Sequence, residues 1–161
     1  MFRIGHSRLQ LPHAGTRLPR SVCTSRQTTT AASTADRIIQ QFPANRQEQI
    51  RAMLAGSLKG IVAQTLCKRK GRGRIAALEI LLVTNAVSNL IRENKIYMIE
   101  SVIQTSHKLG MRSLNGSLLD LVLRDIITPE EAFFKAIDRG DLRKMFADNG
   151  IESESLQDDS F

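Results

Sequence analysis

Tryptophan is absent from this 161-residue chain, tyrosine occurs once, and cysteine occurs only twice. One Tyr and six Phe are too few to build the stacking platform that single-strand nucleic-acid binders present to bases. Cys23 and Cys67 show no metal-ligand spacing and sit in very different sequence surroundings. That argues against a disulfide framework and makes a reducing compartment the default. His6, His13 and His107 have no partner at metal-ligand spacing, and no serine stands in a Gly-x-Ser-x-Gly elbow. Nor is there a Gly-x-x-x-x-Gly-Lys-Ser/Thr run. The one glycine cluster, Lys70-Gly71-Arg72-Gly73-Arg74, lacks the strand-to-helix context that aims backbone amides at a phosphate. A self-contained P-loop nucleotidase is excluded, and the sequence offers no catalytic, cofactor-binding or metal-binding residue of its own. No apolar run approaches the roughly 20 residues of a membrane-spanning helix, and Glu79 interrupts the longest, residues 75–83.

What is present is enough for one domain with a core, since 42% of the residues are hydrophobic. The formal net charge of +7 is unevenly placed: residues 1–35 hold five arginines and no acid, which leaves +2 for everything after them. A large positive charge can mark a nucleic-acid or anionic-lipid binder, but here most of it lies in the leader. Residues 1–29 lack sustained periodicity, are punctuated by Pro12 and Pro19, and read as a disordered basic leader. Their Arg-rich, acid-free composition also suits a mitochondrial transit peptide, although they contain no clear amphipathic helix. The body carries one tight basic cluster, Lys68, Arg69, Lys70, Arg72 and Arg74. It is followed at the far end by a purely acidic stretch, residues 148–161, read as a disordered tail.

Between these ends the periodicity predicts an α+β, predominantly helical fold with one β-hairpin and about six short helices. Ser33 or Thr34 can cap a first helix with Asp36 in its first turn and Ile38, Ile39 and Phe42 on one face, ended by Pro43. Asn45 with Glu48 opens a second, bearing Ile50, Met53, Leu54 and Leu58. Two apolar runs, residues 61–66 and 75–83, flank a polar glycine-bearing loop and read as a hairpin. The second run is apolar on both faces and is expected to lie under helices. The basic loop between them is most simply a solvated turn; the alternative is contact with an acidic partner or with nucleic acid.

Asn85 can cap a helix carrying Val87, Leu90 and Ile91, and another from Lys95 with Ile96, Ile99 and Ile103 should stop at Gly110. Leu114, Leu118, Leu121 and Val122 mark the next helix. Thr128-Pro129-Glu130-Glu131 is a strong helix start whose buried side would be Phe133, Phe134 and Ile137, and a last turn or two holds Leu142, Met145 and Phe146.

The run Ala86, Val87, Ser88, Asn89, Leu90, Ile91, Arg92, Glu93 resembles the Ala-Ile-Arg-Asn-Leu-Ile-Arg-Glu motif of the type IV pilus retraction ATPases of twitching motility, in the type II/IV secretion ATPase family. Residues 34–43, 46–51 and 57–64 before it, and 101–105, 108–111 and 117–122 after it, follow that family's carboxy-terminal core in order. The resemblance implies that residues 30–147 are the carboxy-terminal portion of a RecA-like ATPase domain. It implies a hexameric ring whose ATP- and magnesium-driven motions retract the pilus, with full-length ATPase subunits, copies of itself and the pilus base machinery as partners.

In that family the Walker A, acidic and histidine motifs precede the portion present here. Where a member reads roughly Thr-Leu-His-Thr, residues 23–29 read Cys-Thr-Ser-Arg-Gln-Thr-Thr. The chain is therefore expected to bind no ATP or magnesium and not to hydrolyse ATP alone. The loss of similarity upstream of Gln27 leads to the expectation of a truncated or frame-disrupted gene with an unrelated leader. The implied location is cytoplasmic, peripheral to the inner-membrane pilus base. Two rival expectations remain, a regulatory adaptor of a full-length pilus ATPase and a basic nucleic-acid binder. Within the motif, Val87, Leu90 and Ile91 would share one helix face and leave Asn89, Arg92 and Glu93 for polar contacts, while Ser88 replaces the usual arginine and loses whatever contact that charge makes.

Overall fold

A computed structural model describes residues 30–151. The basic leader, Cys23 and residues 152–161 lie outside the described residues. The described part runs α1 (Ala31–Gln40), α2 (Ala44–Ser57), β1 (Gly60–Lys68), β2 (Arg74–Leu82), α3 (Asn85–Arg92), a 3-10 turn (Ile96–Met98) leading into α4 (Ile99–Thr105), a second 3-10 turn (His107–Leu109), α5 (Leu114–Leu123), α6 (Pro129–Lys135) and α7 (Arg139–Asp148). It is a mainly helical α+β fold around one antiparallel hairpin, as the periodicity predicts, with seven α-helices among the described residues.

The helix starts follow local chemistry that differs in places from the sequence reading. Thr30, not Ser33 or Thr34, caps α1, because its extended backbone lets its hydroxyl accept from the Ser33 amide while Ser33 answers as the reciprocal third residue. Asp36 thereby falls past the first turn. The second helix starts at Ala44 behind Pro43, with no side-chain cap, so Asn45 is already inside it. Thr84, not Asn85, caps α3 by accepting from the Val87 amide. Thr128 caps α6 as expected, with Pro129 in the first position. The stretch from Lys95 to Gly110 is broken into α4 and two flanking 3-10 turns, the second closed by Gly110 at φ 89°.

β1 and β2 pair in register from Gly60↔Leu82 to Lys68↔Arg74. Side chains alternate across a strand, so Ile61, Ala63 and Cys67 face one way with Ala77, Glu79 and Leu81, and all six are buried. The open end of this face, Ile61 and Leu81, belongs to a core with Ala35, Ile39, Val87, Ile91, Ile99 and Ile103 from α1, α3 and α4. The turn end, Cys67 and Ala77, belongs to a second core with Leu114, Leu118, Ile127, Leu142 and Phe146 from α5, the α5–α6 loop and α7. One hairpin face thus joins two helical groups. Arg112 extends the other edge of β2 by exchanging backbone bonds with Ile80 at 2.8 and 2.9 Å, and Ser117 Oγ accepts from the Leu78 amide.

The opposite face of the hairpin is open mainly on β1, whereas β2, the strand expected to lie under helices, has only Leu82 among its apolar residues exposed. Val62 is 66% exposed, Leu66 47% and Leu82 40%, while Ala76, Leu78 and Ile80 are half-buried. A correction concerns α6, whose buried residue is Ala132. Phe133 is only half-buried, Phe134 is 70% exposed and Ile137 47% exposed, because a two-turn helix turns one narrow side to the core and the small Ala132 takes it. The last turns form a full helix with Leu142 and Phe146 inside, and Ile151 packs on the same core, three residues past Asp148.

Phe146→Ala, at a site 1% exposed in the second core, is expected to destabilise the fold by about 3–5 kcal/mol, read as a lowered urea midpoint. A loss under about 1 kcal/mol would mean that this core does not stabilise the chain as a unit.

Candidate functional site

The motif residues 86–93 fall on α3 and its carboxy-terminal cap. Val87 and Ile91 are fully buried and Leu90 is half-buried against the first core, so the three apolar positions do share the inward face. Ala86, Asn89, Arg92 and Glu93 are exposed, and the Arg92 guanidinium donates to Asn89 Oδ1 at 3.0 Å. Asn94 adopts φ 61°, and the Lys95 and Asn94 amides return to the Leu90 and Ile91 carbonyls at 2.8 and 3.3 Å, a Schellman ending with asparagine in the left-handed position. Beyond the cap, the Lys95 ammonium lies 2.8 Å from a Glu93 carboxylate oxygen, which holds the Glu93 carboxyl below its usual range.

Ser88 is not idle in place of an arginine. Its hydroxyl donates to the Ala55 carbonyl of α2 at 2.9 Å, tying α3 to the neighbouring helix. A short side chain makes this bond at close helix approach, where an arginine would have to reach past it.

Glu79 carries a role that periodicity does not reveal. Its side chain is on the buried hairpin face, 6% exposed, and Oε1 accepts from the Ala31 amide, the first of α1, at 2.7 Å. A carboxylate there meets one of the orphan donors and the positive end of the helix. Burial nevertheless raises its carboxyl above the usual range, the Ala31 bond pulls the other way, and the charge of Glu100 adds to the rise. The only hint in the sequence is an acid inside an apolar strand. Cys67, fully buried beside the turn, has its thiol pushed up by burial and next by the charge of Glu131.

The basic turn is tethered to the second helical group. The Lys70 amide donates to the Ile126 carbonyl at 2.9 Å, the Lys68 amide to Glu131 Oε1 at 2.8 Å, and the Lys70 ammonium pairs with Asp125. Gly71 and Gly73, at φ 93° and 99°, make the reversal that closes it. An open groove of about 660 Å³ separates this turn from α6. Among the described residues no group of three or more His, Cys, Asp or Glu side chains is placed to hold a metal ion, and no helix is long and apolar enough to cross a membrane.

The hairpin with its flanking helices is similar to part of known motor ATPases. The chain is 46% identical over 109 residues to the type IV pilus retraction ATPase PilT of Pseudomonas aeruginosa, which takes in 68% of this chain and 32% of that protein. It is 49% identical over 106 residues to a twitching motility protein of Neisseria gonorrhoeae, covering 65% of this chain and 28% of the relative. The fold superposes on the crystal structure of the pilus retraction motor PilT with bound ADP at a TM-score of 0.65 and 38% identity, over 73% of this chain and 33% of that one. No family model matches the sequence. The chain is thus homologous, over about two thirds of its length, to PilT-type twitching-motility ATPases. It spans about a third of the length of the curated relatives it matches.

Two outcomes follow from this geometry. Ser88→Ala should cost about 1 kcal/mol by removing the α2–α3 tie, seen as a lower urea midpoint; an unchanged midpoint would show that the tie contributes nothing. For Glu79, the folded carboxyl keeps its proton to higher pH than the unfolded one, so its contribution to stability is largest below about pH 4 and falls as pH rises through the folded value. Glu79→Gln retains an acceptor for the Ala31 amide and should lose that decline, so its stability relative to the parent rises from acid to neutral pH. A constant difference across that range would refute the assignment.

Proposed function

We propose that the chain is a carboxy-terminal portion of a type IV pilus retraction ATPase which does not turn over ATP by itself and acts by joining full-length subunits. The observation that carries this is the uncovered hairpin face. Val62, Leu66 and Leu82 leave exposed apolar side chains on the outer face of the hairpin, in a body that is homologous to about a third of a motor subunit. The resemblance implies a hexameric ring at the cytoplasmic side of the pilus base, and α3 would couple nucleotide state to retraction there. The residues assigned to that coupling are the exposed Asn89, Arg92 and Glu93, with Val87, Leu90 and Ile91 fixing the helix to the core. The 161 residues contain no glycine-lined cradle with its lysine, which is why ATP and magnesium are assigned to the full-length partner.

The same surface supports the related reading of a regulatory adaptor that competes for subunit contacts. The two readings differ in outcome: an adaptor lowers the ATPase rate of a full-length relative on mixing, whereas an inert portion leaves it unchanged.

The purified chain is expected to show no magnesium-dependent ATP hydrolysis above background and to self-associate in sedimentation. It should co-elute with a full-length PilT-type ATPase, and Val62→Asp should weaken that association at least about tenfold. Turnover by the chain alone, or a clean monomer that ignores the full-length protein, would refute the proposal.

A further inference from the structure

We propose that the acidic segment 152–161 of this chain docks on the basic hairpin turn and the groove between that turn and α6. The turn concentrates Lys68, Arg69, Lys70, Arg72 and Arg74, all exposed, on a backbone held in place by the Lys68 and Lys70 amide bonds to Glu131 and Ile126. Asp125, Glu130 and Glu131 oppose these five cations, and five minus three leaves a local excess of +2. Asp125 is engaged by the Lys70 ammonium and Glu131 by the Lys68 amide. The groove of about 660 Å³ has Phe134, 70% exposed, as an apolar wall beside the cations.

The occupant has the complementary composition. Glu152, Glu154, Asp158 and Asp159 give it four negative charges and no positive one, and Leu156 lies between the two acidic pairs. Its attachment point is suitable: Ile151 packs on the second core, the one that holds Cys67, and Cys67 is directly followed by Lys68. Ten residues can span up to roughly 33 Å, more than twice the radius of gyration of on the order of 14 Å expected for the 122 described residues. Tethering makes the encounter intramolecular, at an effective concentration in the millimolar range for a short linker, so individually weak charge pairs suffice. Exposed pairs are screened by salt, so docking should weaken steeply as ionic strength rises.

The test is zero-length carbodiimide cross-linking of the full chain at low concentration, with the linked lysines identified by mass spectrometry. Lys144 on α7 is the reference, because it is close in sequence to the acidic segment and belongs to the competing basic set of Arg139, Arg143 and Lys144. Docking predicts that links from Glu152, Glu154, Asp158 and Asp159 to Lys68 and Lys70 exceed those to Lys144. Their yield should fall about tenfold between 20 mM and 500 mM salt. The variant Arg69→Glu/Arg72→Glu/Arg74→Glu leaves both turn lysines in place and should reduce their links at least about threefold. Links mainly to Lys144, links insensitive to salt and to the variant, or links that form only between isotopically distinct copies would each overturn the proposal; the last would assign the turn to a second copy.

Discussion

One hairpin face holds the two halves of this fold together. Ile61 and Leu81 enter the core built by α1, α3 and α4, while Cys67 and Ala77, on the same side of the same two strands, enter the core built by α5, α7 and the α5–α6 loop. Midway between them stands Glu79, opposite Ala63, with its carboxylate on the first amide of α1. An apolar residue at that point would pack as well but would leave the Ala31 amide without its partner. The charged group is retained at a desolvation cost because it fixes where α1 begins against the sheet. The remaining connections are directed at the same hairpin. Arg112 pairs with the edge of β2, Ser117 accepts from it, and Ile126 and Glu131 grip the turn.

The consequence for function is an asymmetry between the two sheet faces. The inner face is saturated by helices contributed from both sides, while the outer face keeps Val62, Leu66 and Leu82 in solvent. A two-stranded sheet with one apolar face open is marginal by itself, and here it draws its stability from the helices on the other side. In PilT-like relatives about three times as long as the matched region there is ample chain to cover such a face.

Much of the architecture was legible in the sequence because its signals are local and strong. Thr128-Pro129-Glu130-Glu131 opens α6, Gly71 and Gly73 mark the reversal, and the 3.6-residue spacing of Leu114, Leu118 and Leu121 places α5 against the second core. What misled were choices between adjacent candidates. Thr30 outcompetes Ser33 and Thr34 because Ser33 can return the cap's hydrogen bond from inside the helix, and Thr84 outcompetes Asn85 in the same local contest. On α6 the small Ala132 takes the fully buried position and Phe133 packs half-buried against the same core, while Phe134 and Ile137, also expected inside, are exposed. Glu79 was visible only as an interruption in an apolar run, since its partner lies 48 residues away in sequence.

The motif helix shows how far a local match can carry a functional reading. Its buried side, Val87 and Ile91 with Leu90 beside them, would be required of any helix lying on this core and does not discriminate among functions. Discrimination has to come from the exposed side, where Asn89 and Arg92 bond to one another and Glu93 pairs with Lys95. Surface pairs of this kind contribute little to stability, so their arrangement is not dictated by folding. Ser88 sits between the two sides: its hydroxyl is spent on the α2 carbonyl of Ala55, within the fold. Where the family motif is expected to carry arginine, Ser88 thus makes a contact internal to the domain, which leaves Asn89, Arg92 and Glu93 as the exposed polar residues of the motif.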